Sequence, residues 1–335
     1  MEISKEDTLI LKGISILMLL FHHMFYDSEN KIIFLIARNL KICVAMFLVL
    51  SGYGLTKSYI KNQNSLIKFI GKKLFKLLTT YWFIFVFSIL FGTLFNYRSL
   101  EEAYKTDKYF KLIKEFFCLH EFTFGHGYNA TWWFMSLIVL LYLSFPLFYT
   151  FVKNYKKIII YLFIIFSIIV LNFNRERFFI NKIVTITYCF SYIVCFIIGI
   201  YNALYERKKV MNNFMGLMII LLLFYIRENY LPYSFKIKDI LFYFESTSID
   251  FLICYYIILL SKESFLKDNK GLIVLGTYSY EIFLTHSFLF YYYFPKYVNI
   301  SKYFFINYLW FIIFSLIVGV FFQKLILYIK GVINL

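Results

Sequence analysis

The chain has 335 residues, 61% of them hydrophobic and 24% aromatic, and it contains only three prolines. This composition excludes a disordered chain and an ordinary soluble protein, in which apolar runs alternate with polar faces. The formal net charge is +16, but the lysines and arginines fall mostly in short stretches between apolar runs. That distribution indicates membrane topology and contact with anionic lipid headgroups, and it argues against nucleic acid as a partner.

Apolar runs of membrane-spanning length recur along the whole chain, and they do not alternate as the strands of a membrane barrel do. We therefore predict an all-α fold, a polytopic integral membrane helical bundle with about ten transmembrane helices. The predicted spans are 8–27, 42–60, 77–95, 132–152, 158–173, 183–204, 210–226, 240–260, 272–293 and 303–328. We expect residues 1–335 to form a single membrane domain without a fused soluble domain.

Short basic stretches follow every second predicted span, at residues 61–76, 153–157, 206–209 and 261–270. Because cytoplasmic loops are enriched in Lys and Arg, this pattern predicts that both termini are cytoplasmic. The first apolar run has no small-residue cleavage site, so we interpret it as an uncleaved span. The five cysteines form no CxxC or metal-ligand spacing, and we expect packing residues and no metal site.

The first predicted span carries three ionisable side chains, Lys12, His22 and His23, within LILKGISILMLLFHHMFYD. Such groups are costly in hydrocarbon and tend to be retained for function. At about 100° per residue, Lys12 and His23 fall within about 20° of one face and roughly 16 Å apart along the axis, with His22 about 80° away. This stripe suits a donor with an anionic head and a long reactive arm. Alternatively, Lys12 snorkels to the interface and the histidines bond to neighbouring helices.

Two other spans contain polar or small residues that can be interpreted either as packing residues or as functional ones. Ser51 and two nearby glycines interrupt the second span, which permits close helix approach or access of a ligand to the backbone. In the ninth span Glu281 shares a face with Tyr278 and Thr285, whereas His286 points elsewhere. A carboxylate there should pair with a cation or stay protonated. An inter-helix polar clamp is the alternative interpretation.

The long connection at residues 96–130 is rich in aromatic residues and also contains His120, His126 and Asn129. Aromatic side chains concentrate at membrane–water interfaces, so an interfacial belt is one interpretation of this segment. The other is that the segment lines a binding site for a sugar acceptor.

Several of these segments together resemble the acyltransferase-3 family of integral membrane acyltransferases. In its first-helix signature a basic residue is followed, after ten residues, by an essential histidine. Lys12 and His23 match that spacing without a gap, and His22 does not. The stretch FLVLSGYGLTKSY, which contains Ser51, resembles the aromatic-rich second-helix segment of the family that ends in Ser-Gly.

Three further segments follow in the order that the family shows. The stretch FIGKKLFKLLTTYW resembles the next basic segment, with Lys73 and Lys76 at positions where the family commonly has arginine. The stretch TWWFMSLIVLLYLSFPLFY resembles a Trp-then-Tyr-then-Pro span through Trp133, and YSYEIFLTHS resembles a late segment that ends in His286. Lysine keeps the charge of arginine but lacks its planar two-pronged fork, so donor binding is expected to differ in detail.

The resemblance implies a membrane enzyme that moves an acyl group, most often acetyl, from acyl-coenzyme A to a hydroxyl of a bacterial cell-envelope sugar. A histidine can act as base or nucleophile in such a transfer. The implied assignments are catalytic His23, donor-binding Lys12, Lys73 and Lys76, and possible supporting roles for His22, Ser51, Trp133, Glu281 and His286. The expected co-substrate is acetyl-CoA or another acyl-CoA, with no permanently bound cofactor. The expected partners are an envelope glycan or lipid-linked sugar and membrane lipids, in the bacterial cytoplasmic membrane.

Two other classes of protein share the composition. A transporter, flippase or polymerase of lipid-linked glycans would also be polytopic, basic and dotted with intramembrane charges. Transporters often show Gly- or Pro-broken helices at matching places in two related halves, and no such halves are visible in this sequence. A receptor or assembly scaffold would leave the Lys12–His23 stripe without a purpose. Acyl transfer is therefore the favoured hypothesis.

Overall fold

The computed structural model describes residues 3–62, 65–119, 127–155, 180–205 and 268–332, with a few isolated residues between 215 and 266. Every regular element in these ranges is helical, which confirms the all-α prediction for the part of the chain described. The helices are α1 (Lys5–Phe25), α2 (Lys31–Asn39), α3 (Cys43–Asn62), α4 (Leu66–Leu94), α5 (Leu100–Tyr104), α6 (Lys108–Phe116), α7 (Trp133–Tyr155), α8 (Ile180–Leu204), α9 (Lys270–Thr277), α10 (Ser279–Ser287), α11 (Pro295–Val298) and α12 (Phe304–Val332).

The sequence specifies several helix starts through side-chain caps. At the start of α1, the backbone N–H of Asp7 donates to the Ser4 hydroxyl, and the backbone N–H of Ser4 donates to the Asp7 carboxylate. Ser99 and Glu102 form a capping box before α5, and Asn30 caps α2. These bonds satisfy N–H groups that have no partner within the helix, and they fix where each helix begins.

Five helical segments among the described residues are long and apolar enough to cross a membrane. They are Lys5–Phe25, Lys31–Asn62, Leu66–Leu94, Ala130–Tyr155 and Phe304–Val332. They correspond to the first four and the last of the predicted spans, and the predicted span 183–204 lies within α8. The predicted spans 158–173 and 240–260 and most of 210–226 lie outside the described residues. The number ten and the cytoplasmic termini therefore stay predictions.

Three expectations were wrong in detail. The basic stretch 61–76 is not simply a loop, because α3 ends within it at Asn62 and α4 begins at Leu66, so that all its lysines lie on helices. The predicted span 272–293 is not one helix but α9, α10 and a turn of π-helix at Phe288–Tyr292. The connection 96–130 contains α5 and α6. Apolar residues at helical spacing between the lysines explain the first and last of these differences.

The chain divides into two compact units, and helices α1, α4, α7 and α9 each contain residues of both. The first unit comprises Met1–Ser15, Ile42–Ile70 and Leu140–Ile273, and the second comprises Ile16–Lys41, Gly71–Val139 and Val274–Leu335. Lys12 and Ser51 therefore belong to the first unit. Both histidines of α1, Lys73, Lys76 and His286 belong to the second.

The first unit is built around close packing of α3 against α8. A Cβ atom on Gly52 would overlap the backbone carbonyl of Phe196, and a Cβ atom on Gly199 would overlap the backbone carbonyl of Val49. Small residues therefore allow the two backbones to touch, as membrane helices often require. This contact assigns Gly52 of the second-span motif to helix packing.

Aromatic side chains form the core of the second unit. Trp132 is fully buried, and its ring centroid lies 5.3 Å from that of Tyr81, 5.4 Å from that of Phe85 and 5.5 Å from that of Phe288. Its indole N–H donates to the Leu284 carbonyl at 3.1 Å. Because a buried indole needs an acceptor, this bond fixes the start of α7 against α10.

Candidate functional site

His22 and His23 occupy the last turn of α1, and their neighbours give them different roles. The Nδ1 atom of His22 lies 2.8 Å from the backbone carbonyl of Ala37 in α2. A carbonyl oxygen can only accept, so this nitrogen carries the proton. His22 thereby ties the end of α1 to α2, in agreement with the interpretation that it bonds to a neighbouring helix.

His23 contacts a tyrosine that the sequence analysis did not select. The hydroxyl of Tyr291 donates to the backbone carbonyl of His23 at 2.8 Å and lies 3.4 Å from its Nδ1 atom. Since the hydroxyl proton is used on the carbonyl, the phenolic oxygen can accept from an Nδ1–H group. In the tautomer that carries its proton on Nδ1, the Nε2 atom of His23 has a lone pair available for proton transfer. The run YYY at 291–293 was the only sequence signal that pointed to this position.

His286 lies against His23, and its ring proton is on Nδ1. Its Nδ1 atom is 2.8 Å from the carbonyl of Phe283 and 3.2 Å from that of Ile282, so Nδ1 carries the proton. The side chain is fully buried, and its Nε2 atom has no hydrogen-bond partner among the described residues. The two rings approach with centroids 5.0 Å apart at an angle of 43°. The structure therefore brings together two imidazoles whose Nε2 atoms can both accept a proton.

The connection after α4 is anchored by a buried carboxylate. Glu115, 2% exposed, accepts from the Tyr104 hydroxyl at 2.5 Å and from the backbone N–H of Tyr128 at 2.9 Å. Burial and then the charge of Glu115 raise the pKa of Tyr104, which keeps its hydroxyl a donor to the carboxylate. A buried carboxylate with several donors holds its surroundings firmly. The segment from Tyr128 onward, which includes Asn129, is fixed in this way, whereas His120 and His126 lie outside the described residues.

Lys73 and Lys76 lie on the early turns of α4, at least partly exposed. The next residue, Leu77, accepts a hydrogen bond at 3.0 Å through its carbonyl from the Tyr280 hydroxyl of α10. His286 follows Tyr280 by six residues, or roughly 9 Å along a helix. The structure therefore places the basic start of α4 near the start of α10, whose last turn carries His286.

The remaining predicted residues lie in separate environments. Lys12 is half-buried in the first-unit part of α1. Also in that unit, Ser51 forms a hydrogen bond with the Tyr142 side chain. In the second unit Glu281 is buried in α10, and Trp133 is buried at the start of α7, with its ring centroid 6.1 Å from that of Phe134.

The chemistry open to this site is proton transfer and nucleophilic attack by neutral imidazole. Within the ranges that the structure describes, no three His, Cys, Asp or Glu side chains are grouped so as to hold a metal ion. Residues that could bring a metal into the reaction are thus not gathered around His23 and His286 in this part of the chain.

Several membrane-length apolar helices fit a multi-pass membrane protein, and the described part of the chain adds two imidazoles in contact, one of them fully buried. A family model described as an acyltransferase domain matches residues 10–324, nearly the whole chain. The chain therefore belongs to the acyltransferase-3 family, and the resemblance noted in its sequence is confirmed. Neither the comparison with curated proteins nor that with solved structures gave a match.

Proposed function

We propose that this protein transfers an acyl group, acetyl in the first instance, from acyl-coenzyme A to a hydroxyl of a cell-surface carbohydrate in the bacterial cytoplasmic membrane. Membership of the acyltransferase family supports the reaction class. The observation that carries the proposal is the pair of imidazoles, His23 and His286, whose ring centroids lie 5.0 Å apart, with the buried Nε2 atom of His286 lacking a hydrogen-bond partner among the described residues. Acyl transfer to a hydroxyl requires such a base.

In the proposed reaction the Nε2 atom of His23 removes the proton from the acceptor hydroxyl. The hydroxyl oxygen bonds to the thioester carbonyl carbon, the carbon–sulfur bond breaks, and coenzyme A leaves as its thiolate. The proton then passes from His23 to the thiolate or to water. Tyr291 holds His23 in the required tautomer, because its oxygen faces Nδ1 and not Nε2.

The donor would be bound through its phosphates by Lys73 and Lys76, and a donor-binding role for Lys12 stays a prediction from the sequence. Lysine ammonium groups bind phosphate as point charges, without the bidentate geometry of arginine. The hydrogen bond from Tyr280 to the Leu77 carbonyl places α10 beside this basic turn. The acyl arm of the donor would then run along α10 toward His286 and His23, over a distance on the order of 10 Å.

The test is acetyl transfer by isolated membranes supplied with acetyl-labelled coenzyme A, with free thiol and label in the glycan fraction both followed. We expect His23→Ala to lower transfer by about 10²–10⁴-fold, the contribution of a general base. His22→Ala should retain activity at equal expression, because His22 bonds to the Ala37 carbonyl and not to the reacting groups.

The proposed binding of the donor by Lys73 and Lys76 can be tested against a control residue on the same helix. Lys73→Ala and Lys76→Ala should raise the acetyl-coenzyme A concentration required for half-maximal rate, whereas Lys72→Ala, an exposed neighbour, should not. Absence of protein-dependent thiol release with acetyl-, propionyl- or succinyl-coenzyme A, with unchanged glycan in His23→Ala cells, would overturn the proposal. A transporter or flippase of lipid-linked glycan would then be favoured.

A further inference from the structure

Asn129 is a fully buried side chain whose hydrogen bonds lead to α10, the helix that carries His286. Its Oδ1 atom accepts from the backbone N–H of Thr131 at 3.0 Å and from the Thr131 hydroxyl at 2.8 Å. The same atom accepts from the Ser287 hydroxyl at 2.8 Å. One amide oxygen thus joins the start of α7 to the last residue of α10.

The bonds from this segment reach α10 on both sides of His286. Ser287 follows the histidine directly, and Leu284 precedes it by two residues. The Leu284 carbonyl accepts from the Trp132 indole at 3.1 Å, and the Nδ2 atom of Asn129 lies 3.5 Å from the same carbonyl. The backbone that holds the imidazole is therefore fixed from outside its own helix.

The helix that carries His286 changes its type directly after this turn. A π-helical turn begins at Phe288, so the regular α-helical bonding pattern changes directly after Ser287. π-Helical turns are rare and occur frequently at functional sites. The Nδ1 atom of His286 bonds to carbonyls of the same turn, so any rotation of that turn moves the imidazole relative to His23.

Asn129 is itself held by the buried carboxylate of Glu115. The backbone N–H of Tyr128 donates to Glu115 Oε2 at 2.9 Å, and the backbone N–H of Asn129 lies 3.4 Å from Oε1. A hydrogen-bonded path therefore runs from α6 through Asn129 to Ser287. Fully satisfied buried networks of this kind restrict a backbone to one position.

We propose that Asn129 and Ser287 are positioning residues that set the orientation of His286 against His23. This inference rests on the proposed acyl transfer, in which His23 is the base and His286 lies against it with ring centroids 5.0 Å apart. Neither residue touches the reacting atoms. Their effect is exerted on the rate of the chemical step through the placement of a base, which is sensitive to shifts on the order of 1 Å.

Ser287→Ala and Asn129→Ala test the proposal, each with a matched control. Ser315 is equally buried, and its hydroxyl has no hydrogen-bond partner in the described part of the chain, so Ser315→Ala controls for loss of a buried hydroxyl. Asn299 is exposed, so Asn299→Ala controls for loss of an amide. With acetyl-coenzyme A and envelope from cells lacking this protein as acceptor, we expect kcat to fall about tenfold in the two test variants only. The KM for acetyl-coenzyme A should stay unchanged.

A double substitution distinguishes an effect of Ser287 through His286 from a general loss of structure. If Ser287 acts through His286, Ser287→Ala should cause no further loss of kcat in a His286→Ala protein, because residues that act as a unit are not additive. An unchanged kcat in Ser287→Ala and Asn129→Ala would overturn the proposal. So would a raised KM alone, or a full tenfold additional loss in the double variant.

A readout without turnover distinguishes failure of the positioning role from failure of the proposed function. In histidine-labelled protein, the ¹⁵N imidazole signals that His286→Ala removes should shift in Ser287→Ala and not in Ser315→Ala. A shift without any acyl transfer by the wild-type protein would support the positioning and overturn the reaction. Transfer without a shift would overturn the positioning and leave the reaction standing.

Discussion

The adjacent histidines of α1 show how neighbours decide the role of a residue. His22 bonds to the Ala37 carbonyl, whereas His23 faces Tyr291 and His286. The two side chains are alike in type and half-buried alike, and their ring centroids lie 5.0 Å apart. The Nδ1 atom of His22 is bound to α2, whereas the ring of His23 also lies against that of His286. The proposed function of His23 therefore rests on what its ring contacts and not on its presence in an apolar helix.

Cys118 provides a residue-scale prediction that depends on pH. Burial, reinforced by Glu115, raises the pKa of its thiol to about 12. The thiolate is the reactive form, so at pH 8 only about 10⁻⁴ of the folded protein would carry it, against roughly a quarter for an ordinary thiol. We expect slow maleimide labelling at pH 8, rising about tenfold per pH unit up to pH 10.

The measurement uses a chain in which the other four cysteines are replaced by alanine. The same chain unfolded in detergent is the control, and it should label rapidly at pH 8. Rapid labelling of the folded chain at pH 8 would show that the thiol is not buried and that its pKa is not raised.

At the scale of helices, close approach of α3 and α8 depends on glycine at two positions. Any side chain at Gly52 would meet the Phe196 carbonyl, whereas a Cβ atom at Gly54 would have nothing within 4 Å. The two glycines lie on the same helix, two residues apart, so they form a matched pair for substitution.

Gly52→Ala is therefore expected to destabilise the protein by roughly 1–3 kcal/mol, the usual cost of forcing extra atoms into a packed contact. Gly54→Ala should leave stability unchanged or raise it by up to about 1 kcal/mol, because alanine favours the helix. Thermal unfolding of the purified variants in one detergent measures both. Equal midpoints for the two variants would contradict the close helix contact.

At the scale of the whole molecule, the distribution of lysines and arginines predicts the orientation in the membrane. Basic stretches follow alternate predicted spans, which places both termini in the cytoplasm. Protease added to intact spheroplasts should remove neither an N-terminal nor a C-terminal epitope, and both should disappear after lysis. Loss of one epitope from intact spheroplasts would show an odd number of spans, and loss of both would show the inverted orientation.

Much of the fold could be predicted because it follows from local properties of the chain. Span length is read from the number of consecutive apolar residues, and five predicted spans have counterparts among the described helices. The prediction was wrong where apolar and basic residues alternate at helical spacing, as at Leu66–Lys76. The composition of such a stretch is compatible both with a basic loop and with an amphipathic helix. The break after Thr277 was missed because the apolar runs on either side of the short Gly-Thr-Tyr-Ser stretch together have the length of one span.

Part of the candidate site could likewise be predicted from the sequence, and part could not. The sequence by itself determined that Lys12 and His23 share a helix, because a register of eleven residues is a property of α1 alone. Only the tertiary structure decided that His286 and Tyr291 meet His23, since Tyr291 and His23 are separated by 268 residues. Likewise, Glu115 and Asn129 gained their roles from contacts with Tyr128 and Ser287. Such long-range contacts arise from how helices pack, and helix packing is not encoded in the periodicity of any one segment.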